Sequence, residues 1–279
     1  MHEAVQRESK AARDSAGILD ASTLGKIDIQ GTDASEFLNR VYTNAWSKLE
    51  IGKCRYGLML NEDGMVYDDG VTTRLDENHY IMTTTTGGAA TVLGKLEDYL
   101  QTEWPELDVY LTSVTDHYAT ISVCGPNSKK IIQKVIPEID LSDKDFPHMS
   151  FKNSKIGKVK CRVMRISFTG EQSYEINIQA NYAKSVWENC MEAGKEFNIT
   201  PYGTETMHLL RAEKGFIIVG QDTDATMTPI DLQMDWIVSK KKFDFIGKRS
   251  LYRSDTIRED RKQLVGLITD NPEEILEEG

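Results

Sequence analysis

The chain has 279 residues, of which 39% are hydrophobic and 28% charged, a composition typical of a globular protein with one large or two smaller domains. Its net charge of −11 argues against general nucleic-acid binding, which needs a basic surface. The charged N-terminus is unlike a signal peptide, and no apolar run approaches the roughly 18 residues of a membrane span. We therefore expect a cytoplasmic protein, with reduced thiols that lack the spacing of a zinc site. These thiols are Cys54, Cys124, Cys161 and Cys190.

Strands and helices alternate through the first half of the chain. Apolar residues at helical spacing predict helices, and short apolar or alternating runs between turn residues predict strands. The predicted helices are His2–Ala16, Asp33–Arg40, Ala89–Leu100 and Gly125–Val135. The predicted strands are Leu24–Gln30, Arg55–Leu60, Met65–Thr73, His79–Thr86, Asp108–Thr112 and Tyr118–Cys124.

The second half repeats the order of strands followed by a helix. Its predicted strands are Met149–Asn153, Lys160–Thr169, Tyr174–Gln179, Phe216–Gly220 and Gln263–Thr269. Its predicted helices are Ala183–Phe197, Thr204–Lys214 and Ile230–Val238. This order predicts an α+β fold with mainly antiparallel sheets, arranged as two related half-units.

Two adjacent aspartates interrupt the second limb of the hairpin predicted around residues 61–64. Because pleating sends Asp68 and Asp69 to opposite faces, one of them should point toward apolar neighbours, where a carboxylate is costly unless it is paired or used. A structural alternative is that one faces water and the other completes a turn or an ion pair. Tyr56 lies in the opposite limb, 13 residues before Asp69. Tyr42 and Trp46 are either core residues or walls of a flat-ring pocket.

Several longer sequence motifs carry a family resemblance. They include LDASTLGKIDIQG, GKCRYGLML, FTGEQSYEINI, LLRAEKG and GQDTDATMTPIDLQMDWIVSKKK. In this order they resemble the folate-dependent aminomethyltransferases, typified by the T-protein of the glycine cleavage system. The fuller resemblance, from Leu19 to about Leu251, is to the C-terminal folate-binding part of sarcosine oxidase alpha subunits. It implies a folate-binding domain over residues 1–260 and, over residues 261–279, the start of a C-terminal β-barrel that is truncated in this chain.

The resemblance implies roles for three residues of the predicted strands. Glu175 matches the glutamate that clamps the pterin, because one carboxylate can accept the parallel NH and NH₂ donors of that ring. Asp69 matches the aspartate beside the reactive folate nitrogens, although Asp68 stays an alternative. Its charge would stabilise a cationic one-carbon donor and help move a proton. Tyr56 matches the tyrosine that faces this aspartate and could orient it or contact folate.

Two further positions depart from the family pattern or leave its meaning open. Phe168 replaces the usual tyrosine of the YTGE turn, which keeps a face for stacking on folate but loses a hydroxyl. Met207 replaces an arginine that helps T-proteins bind folate. Arg211 is kept, and it either binds the cofactor or pairs with Asp222 or Asp224.

The resemblance implies that this chain is part of an oxidase. A flavin elsewhere would oxidise sarcosine, and this chain would capture the one-carbon unit on tetrahydrofolate as 5,10-methylenetetrahydrofolate. FAD, FMN and NAD are implied only in other parts of the complex, because no dinucleotide-binding motif occurs here. The expected partners are folate and the other sarcosine oxidase subunits or domains, with no nucleic acid and no membrane. The anionic folate tail could meet Lys240–Lys242 or Arg55.

Two alternatives remain open from the sequence. One is a stand-alone aminomethyltransferase that acts on a lipoyl carrier protein, and Met207 weighs against it. The other is a non-catalytic folate-binding module with an assembly role, which would bind folate without depending on Asp69.

Overall fold

The computed structural model describes residues 2–271 and residue 274. Within these residues the helices are α1 (His2–Asp14), α2 (Ala34–Val41), α3 (Ala89–Asp98), α4 (Ser128–Val135), α5 (Ala183–Gly194) and α6 (Thr204–Ala212). The strands are β1 (Gly17–Asp20), β2 (Gly25–Gln30), β3 (Cys54–Leu60), β4 (Val66–Asp76), β5 (His79–Thr84), β6 (Tyr110–Ser113), β7 (Tyr118–Cys124), β8 (Ser150–Ile156), β9 (Val159–Arg165), β10 (Ser173–Gln179) and β11 (Thr200–Pro201).

The strands form two sheets. The first, here called the N-terminal sheet, has the order β3-β4-β5-β2-β6 and is antiparallel throughout. The second, the C-terminal sheet, has the order β11-β1-β7-β10-β9-β8, and within it β1 and β11 pair in parallel. The predicted mixed fold with mainly antiparallel sheets is confirmed.

Helices cover the outer face of each sheet. Apolar side chains of α2 and α3 pack on β2 and β5 to form one core, and those of α4 and α5 pack on β7, β9 and β10 to form another. The helix α1 packs against α6 beside β7. Burial of these apolar faces is the main force that holds each helix on its sheet.

The inner faces of the two sheets meet. Cys54 and Ile81 of the N-terminal sheet pack with Met164 and Ile166, which come from β9 and the residues after it. At one edge, the Cys54 amide donates to the carbonyl of Met149 at 2.8 Å. The result is a layered order of helices, sheet, sheet and helices, with the inter-sheet space as its middle.

Most predicted elements up to residue 212 are present, with shifted ends. The sequence missed the short strands β1 and β11, and the strand predicted over Lys160–Thr169 ends at Arg165. The helix after Ala89 continues as a π-helical turn over Tyr99–Glu103.

Three elements predicted after residue 212 are wrong. The strand at Phe216–Gly220 is instead a turn, because Asp222 accepts the Ile218 amide at 2.7 Å. The helix at Ile230–Val238 is reduced to one 3₁₀ turn at Asp235–Ile237.

The predicted strand Gln263–Thr269 has no strand pairing. This segment instead runs beside a loop, with the Leu264 amide donating to the carbonyl of Asp231 at 2.7 Å. Arg261 fixes the same contact by pairing with the buried Asp231 carboxylate at 2.6 Å. A barrel beginning in residues 261–279 therefore stays a prediction, part of which lies outside the described residues.

Within the part of the chain that the structure describes, no helix is long and apolar enough to cross a membrane. In the same residues, no group of three His, Cys, Asp or Glu side chains could hold a metal ion. All four cysteines are free and buried, as expected for thiols that serve as small core residues.

Candidate functional site

The hairpin of β3 and β4 carries a hydrogen-bonded tyrosine and aspartate. Its turn contains Gly64, whose φ of +84° is a backbone conformation that other residues rarely adopt. In the register of the two strands, Leu58 lies directly opposite Asp69, and Tyr56 is two residues away on the same face. The Tyr56 hydroxyl donates to Oδ2 of Asp69 over 2.6 Å. The hairpin therefore brings together the two residues singled out from its two limbs.

The adjacent aspartates face opposite sides of β4. Asp68 is 1% exposed, and its Oδ1 accepts the amides of Asp69 and Thr85 at 2.8 and 3.2 Å. Its Oδ2 lies so close to Gly88 that a Cβ there would stand only 2.6 Å away. Asp68 thus points into the helix layer, and of the two aspartates it is Asp69 that meets Tyr56.

The environment of Asp69 shifts its proton affinity. Burial raises the pKa of Asp69 to about 7, the hydrogen bond from Tyr56 opposes the rise, and the charge of Asp68 adds to it. Burial and the charge of Asp69 raise the pKa of Tyr56, so the phenol keeps its proton. Asp69 can therefore exchange a proton near neutral pH, where a general acid or base is most effective.

Glu175 lies in the middle of β10, in the other sheet. Its neighbours Tyr174 and Ile176 belong to the outer core, so alternation points Glu175 toward the inter-sheet space. Burial raises the pKa of Glu175 to about 7, and the positive charge of Lys26 opposes this rise. Among the described residues its carboxylate has no hydrogen-bond or ion-pair partner. A carboxylate in that position is stabilised by donors that a ligand brings.

Asp69 and Glu175 lie on the facing surfaces of the two sheets. Met164 pairs directly with Glu175 across β9 and β10, and the Thr73 hydroxyl contacts Sδ of Met164 at 3.9 Å. Thr73 and Asp69 are on the same face of β4, four residues apart, which corresponds to roughly 13 Å along the strand. The inter-sheet space thus has a free carboxylate on one wall and a phenol-bound carboxylate further along the other.

Phe168 belongs to an exposed pair of aromatic rings. It stacks on Phe216 with ring centroids 6.2 Å apart and an interplanar angle of 20°. Both rings keep more than a third of their surface exposed, at 36% and 41%. Arg13 of α1 fixes the loop that carries Phe168, by donating to the carbonyl of Thr169 at 2.5 Å and to Oε1 of Glu171 at 3.0 Å.

Arg211 is buried behind this pair of rings. Its guanidinium contacts the carboxylate of Asp222 and donates to the carbonyl of Phe216 at 3.0 Å. Of the two partners considered from the sequence, Asp222 is the one that pairs with it. Cofactor binding by Arg211 stays a prediction, and in the structure this side chain holds the segment that presents Phe216.

A cleft beside Tyr56 encloses about 1000 Å³ of space that opens to solvent. Its basic lining residue is Arg55, whose guanidinium lies 5.8 Å from the centre of the Trp46 ring. Asp69 and Glu175 do not line it. The lining residues are Asn44, Ala45, Cys54, Arg55, Tyr56, Met149, Trp236, Ile237 and Ser239.

The lysines predicted to meet a folate tail differ in exposure. Lys240 and Lys241 are exposed, whereas the Lys242 ammonium donates to the carbonyls of Tyr42 and Asn44 at 2.5 and 3.1 Å. Burial lowers the pKa of Lys242 to about 7. This lysine therefore anchors its segment to the loop before β3.

Comparison with known proteins identifies the family. Residues 1–242 match the family described as the GCVT N-terminal domain. The chain belongs to the GCVT family. The T-protein-like fold expected from the sequence is therefore confirmed.

Two curated relatives show how the chain relates to longer proteins of this family. The sarcosine oxidase subunit alpha of Corynebacterium sp. (strain U-96) is 59% identical over 96% of this chain, which spans only 28% of that subunit. An aminomethyltransferase of Thermoanaerobacter sp. (strain X514) is 31% identical over 90% of this chain and 67% of its own length. The predicted resemblance to sarcosine oxidase alpha subunits is confirmed.

A solved structure shares the fold. The glycine cleavage system aminomethyltransferase T of Bartonella henselae superposes with a TM-score of 0.76 at 24% identity, covering 88% of this chain and 64% of that one. It supports the arrangement of sheets and helices described above.

Two side chains of this GCVT domain were not singled out from the sequence, and two others are now placed. Lys26 and Arg13 were missed; the signal for Lys26 was a lysine within the alternating strand GKIDIQ. Tyr42 and Trp46 are fully buried with rings 4.8 Å apart, so they are core residues.

Proposed function

We propose that this GCVT domain is the folate-binding module of a sarcosine oxidase-like complex. It would capture the one-carbon unit of oxidised sarcosine on tetrahydrofolate and give 5,10-methylenetetrahydrofolate. The relationship to sarcosine oxidase alpha subunits supports the setting. The observation that carries the chemistry is Glu175, a half-buried carboxylate without a partner among the described residues, facing the sheet that holds Tyr56 and Asp69.

The fit to a pterin rests on the free carboxylate. Both oxygens of Glu175 are available, and two parallel donors on a flat ring match them in the geometry of bidentate pairs. Charge-assisted hydrogen bonds of this kind contribute about 1.5–3 kcal/mol each. Because an ionised carboxylate is the better acceptor, affinity should rise as the pH passes the Glu175 pKa of about 7.

Asp69 and Tyr56 would act at the reacting end of the ligand. Tetrahydrofolate, when bound, would supply the amine nitrogens that take up the one-carbon unit. The carboxylate of Asp69 would stabilise the positive charge of the incoming donor and hold the proton released when a nitrogen attacks. The phenol of Tyr56 orients Oδ2 of Asp69, and its hydrogen bond keeps part of the carboxylate population ionised near neutral pH.

Phe168 and Phe216 would contact an aromatic part of the ligand. Two nearly parallel, exposed rings offer apolar faces for a flat group. Arg211 would contribute through Phe216 or by direct contact with folate. Arg55 in the cleft beside Tyr56 would meet the anionic tail.

The rest of the proposed complex lies outside this chain. FAD, FMN and NAD would act in other parts of the oxidase, whose subunits would be partners of this domain in the cytoplasm. A second candidate is a stand-alone aminomethyltransferase, which the 31% identical relative supports. Met207, in place of the arginine of T-proteins, weighs against it.

Calorimetric titration with tetrahydrofolate tests the proposal. The wild-type chain at pH 8 should bind saturably, and Glu175→Gln should weaken binding by about 30- to 100-fold because charge-assisted hydrogen bonds are lost. Glu188→Gln, on an exposed helix position, is the matched control and should bind like the wild type. A folded wild-type chain that does not bind, or an unaffected Glu175→Gln variant, would contradict the proposal.

A further inference from the structure

Lys26 is a buried cation without a carboxylate partner. Its side chain is 1% exposed and lies on β2, on the face opposite Ile27 and Ile29 of the outer core. The ammonium donates to two neutral carbonyls, those of Ser22 at 2.9 Å and Leu24 at 3.0 Å. No carboxylate oxygen of the described residues lies within 4.0 Å of it. A buried charge held only by neutral groups is expensive, and this indicates that it has a role.

The local geometry directs Lys26 toward Glu175. The Ser22 hydroxyl accepts the Thr120 amide of β7 at 3.0 Å, so the turn that holds Lys26 lies against that strand. Ser122, two residues further along β7, is the direct pairing partner of Glu175. The ammonium of one sheet and the carboxylate of the other therefore face the same part of the inter-sheet space.

The two charges are held apart. Lys26 is tied to two carbonyls of its own turn and does not form a direct ion pair with Glu175. A direct pair would occupy the oxygens of Glu175, whereas a charge at longer range stabilises the ionised carboxylate and leaves those oxygens open. The arrangement provides the charge without blocking the acceptor.

We infer that Lys26 is a positioning residue that keeps Glu175 ionised for ligand binding while leaving both its oxygens free. The inference rests on the proposed function, because it concerns the carboxylate assigned to the pterin. It also bears on specificity, since an ionised Glu175 selects ligands that present two hydrogen-bond donors and rejects those that present an acceptor.

Other charged or titratable groups face this pair from the elements around it. Cys54 of β3 and Tyr202 after β11 lie near Glu175, and burial raises the pKa of both, so they stay neutral. Asp20 and Asp116 lie near Lys26 and favour its charged form against burial. Arg162 of β9 lies near Cys54. Of these groups, Lys26 is the one whose charge lowers the pKa of Glu175.

The pH dependence of tetrahydrofolate affinity tests the inference. Calorimetry between pH 5.5 and pH 9 should give the wild-type chain a midpoint near the Glu175 pKa of about 7. In Lys26→Met the midpoint should rise by about 1 unit, because an opposite charge has been removed. Affinity should then fall about 10-fold on the acidic side and less than about 2-fold at pH 9. Lys48→Met, at an exposed position, should leave the midpoint unchanged.

A second readout does not depend on folate. The carboxyl of Glu175 can be titrated in the free chain by ¹³C NMR of labelled glutamate, with its signal assigned by loss in Glu175→Gln. Its pKa should rise by about 1 unit in Lys26→Met and also in Lys26→Gln, which keeps a donor for the carbonyls.

The outcomes separate the two claims. A wild-type chain that binds no folate overturns the proposed function, while the carboxyl titration still decides the role of Lys26. An unchanged Glu175 pKa in the neutral variants overturns the inference, even if folate binds. If Lys26→Met does not fold, Lys26→Gln alone gives the decision through the same titration.

Discussion

The two walls of the inter-sheet space reach a similar carboxyl pKa by different means. On the N-terminal sheet, Asp69 has a pKa of about 7 while accepting a phenol hydrogen bond from Tyr56. On the C-terminal sheet, Glu175 has a pKa of about 7 with no donor, opposed only by the distant charge of Lys26. The difference assigns different work to the two carboxylates. An oriented, partnered carboxylate suits proton transfer, and a free one suits ligand binding.

The largest expected effect is on chemistry at Asp69. Asp69→Asn should lower tetrahydrofolate-dependent one-carbon capture by about 10²- to 10³-fold, because general acid–base contributions are of this size, and should change folate affinity by less than about 3-fold. The measurement is the partition between 5,10-methylenetetrahydrofolate and free formaldehyde in an oxidase that carries this domain. Asp63→Asn in the exposed hairpin turn is the control. Full capture by Asp69→Asn would remove Asp69 from the catalytic role.

Glu175→Gln should show the opposite split. Folate affinity should fall by about 30- to 100-fold, while the capture rate at saturating folate should stay within about 3-fold of wild type. Saturation kinetics separate the two effects. A variant that lost rate at saturation but kept its affinity would reverse the assignment of the two walls.

The same substitution should stabilise the domain at high pH. The Glu175 pKa is about 7 in the folded chain against an ordinary value of 4.5, so stability falls as the pH rises between these values and the carboxyl of the unfolded chain ionises first. Glu175→Gln removes this cost and should raise the free energy of unfolding by about 2 kcal/mol at pH 8 and by little at pH 4.5. Urea unfolding at both pH values measures it. An equal change at both would show that the effect is not one of ionisation.

Tyr56→Phe should sharpen the comparison at the other wall. Without its phenol donor, the pKa of Asp69 should rise above about 7, because that hydrogen bond lowers it. The pH midpoint of capture should move upward by about 1 unit, and capture at pH 7 should fall about 10-fold. A pH–rate profile is the measurement. An unchanged midpoint would mean that Tyr56 contributes packing rather than a hydrogen bond.

The smallest effect concerns the loop before β10. Arg13→Gln should free the Phe168 loop, since it weakens the bonds to the carbonyl of Thr169 and to Glu171. The Michaelis constant for folate should rise about 3- to 10-fold with little change in the maximal rate. Arg7→Gln, an exposed position of the same helix, is the matched control. Equal loss of maximal rate would point to a wider structural defect.

The sequence could predict the regular part of the fold and the carboxylates because both depend on local pattern. Alternation in SYEINI separates Glu175 from the apolar core, and the hairpin turn aligns Tyr56 with Asp69. Lys26 could not be predicted in the same way. A lysine in an alternating strand is usually exposed, and it is the second sheet, distant in sequence, that buries it.

The segment after residue 212 defeated prediction for another reason. Its apolar runs have strand or helix character, but side chains bind its backbone before a regular ladder can form. Asp222 accepts the Ile218 amide, and Asp231 accepts the Thr228 amide and pairs with Arg261. Such contacts follow from tertiary placement, which hydrophobic period does not encode.

A crystal structure of the chain with 5-formyltetrahydrofolate, a stable form of the cofactor, tests the central claim most directly. The account predicts that the ring NH and NH₂ donors lie 2.7–3.2 Å from the oxygens of Glu175, and that the N5 side of the ring lies beside Asp69. A ligand bound elsewhere, with both carboxylates still facing an open inter-sheet space, would contradict it.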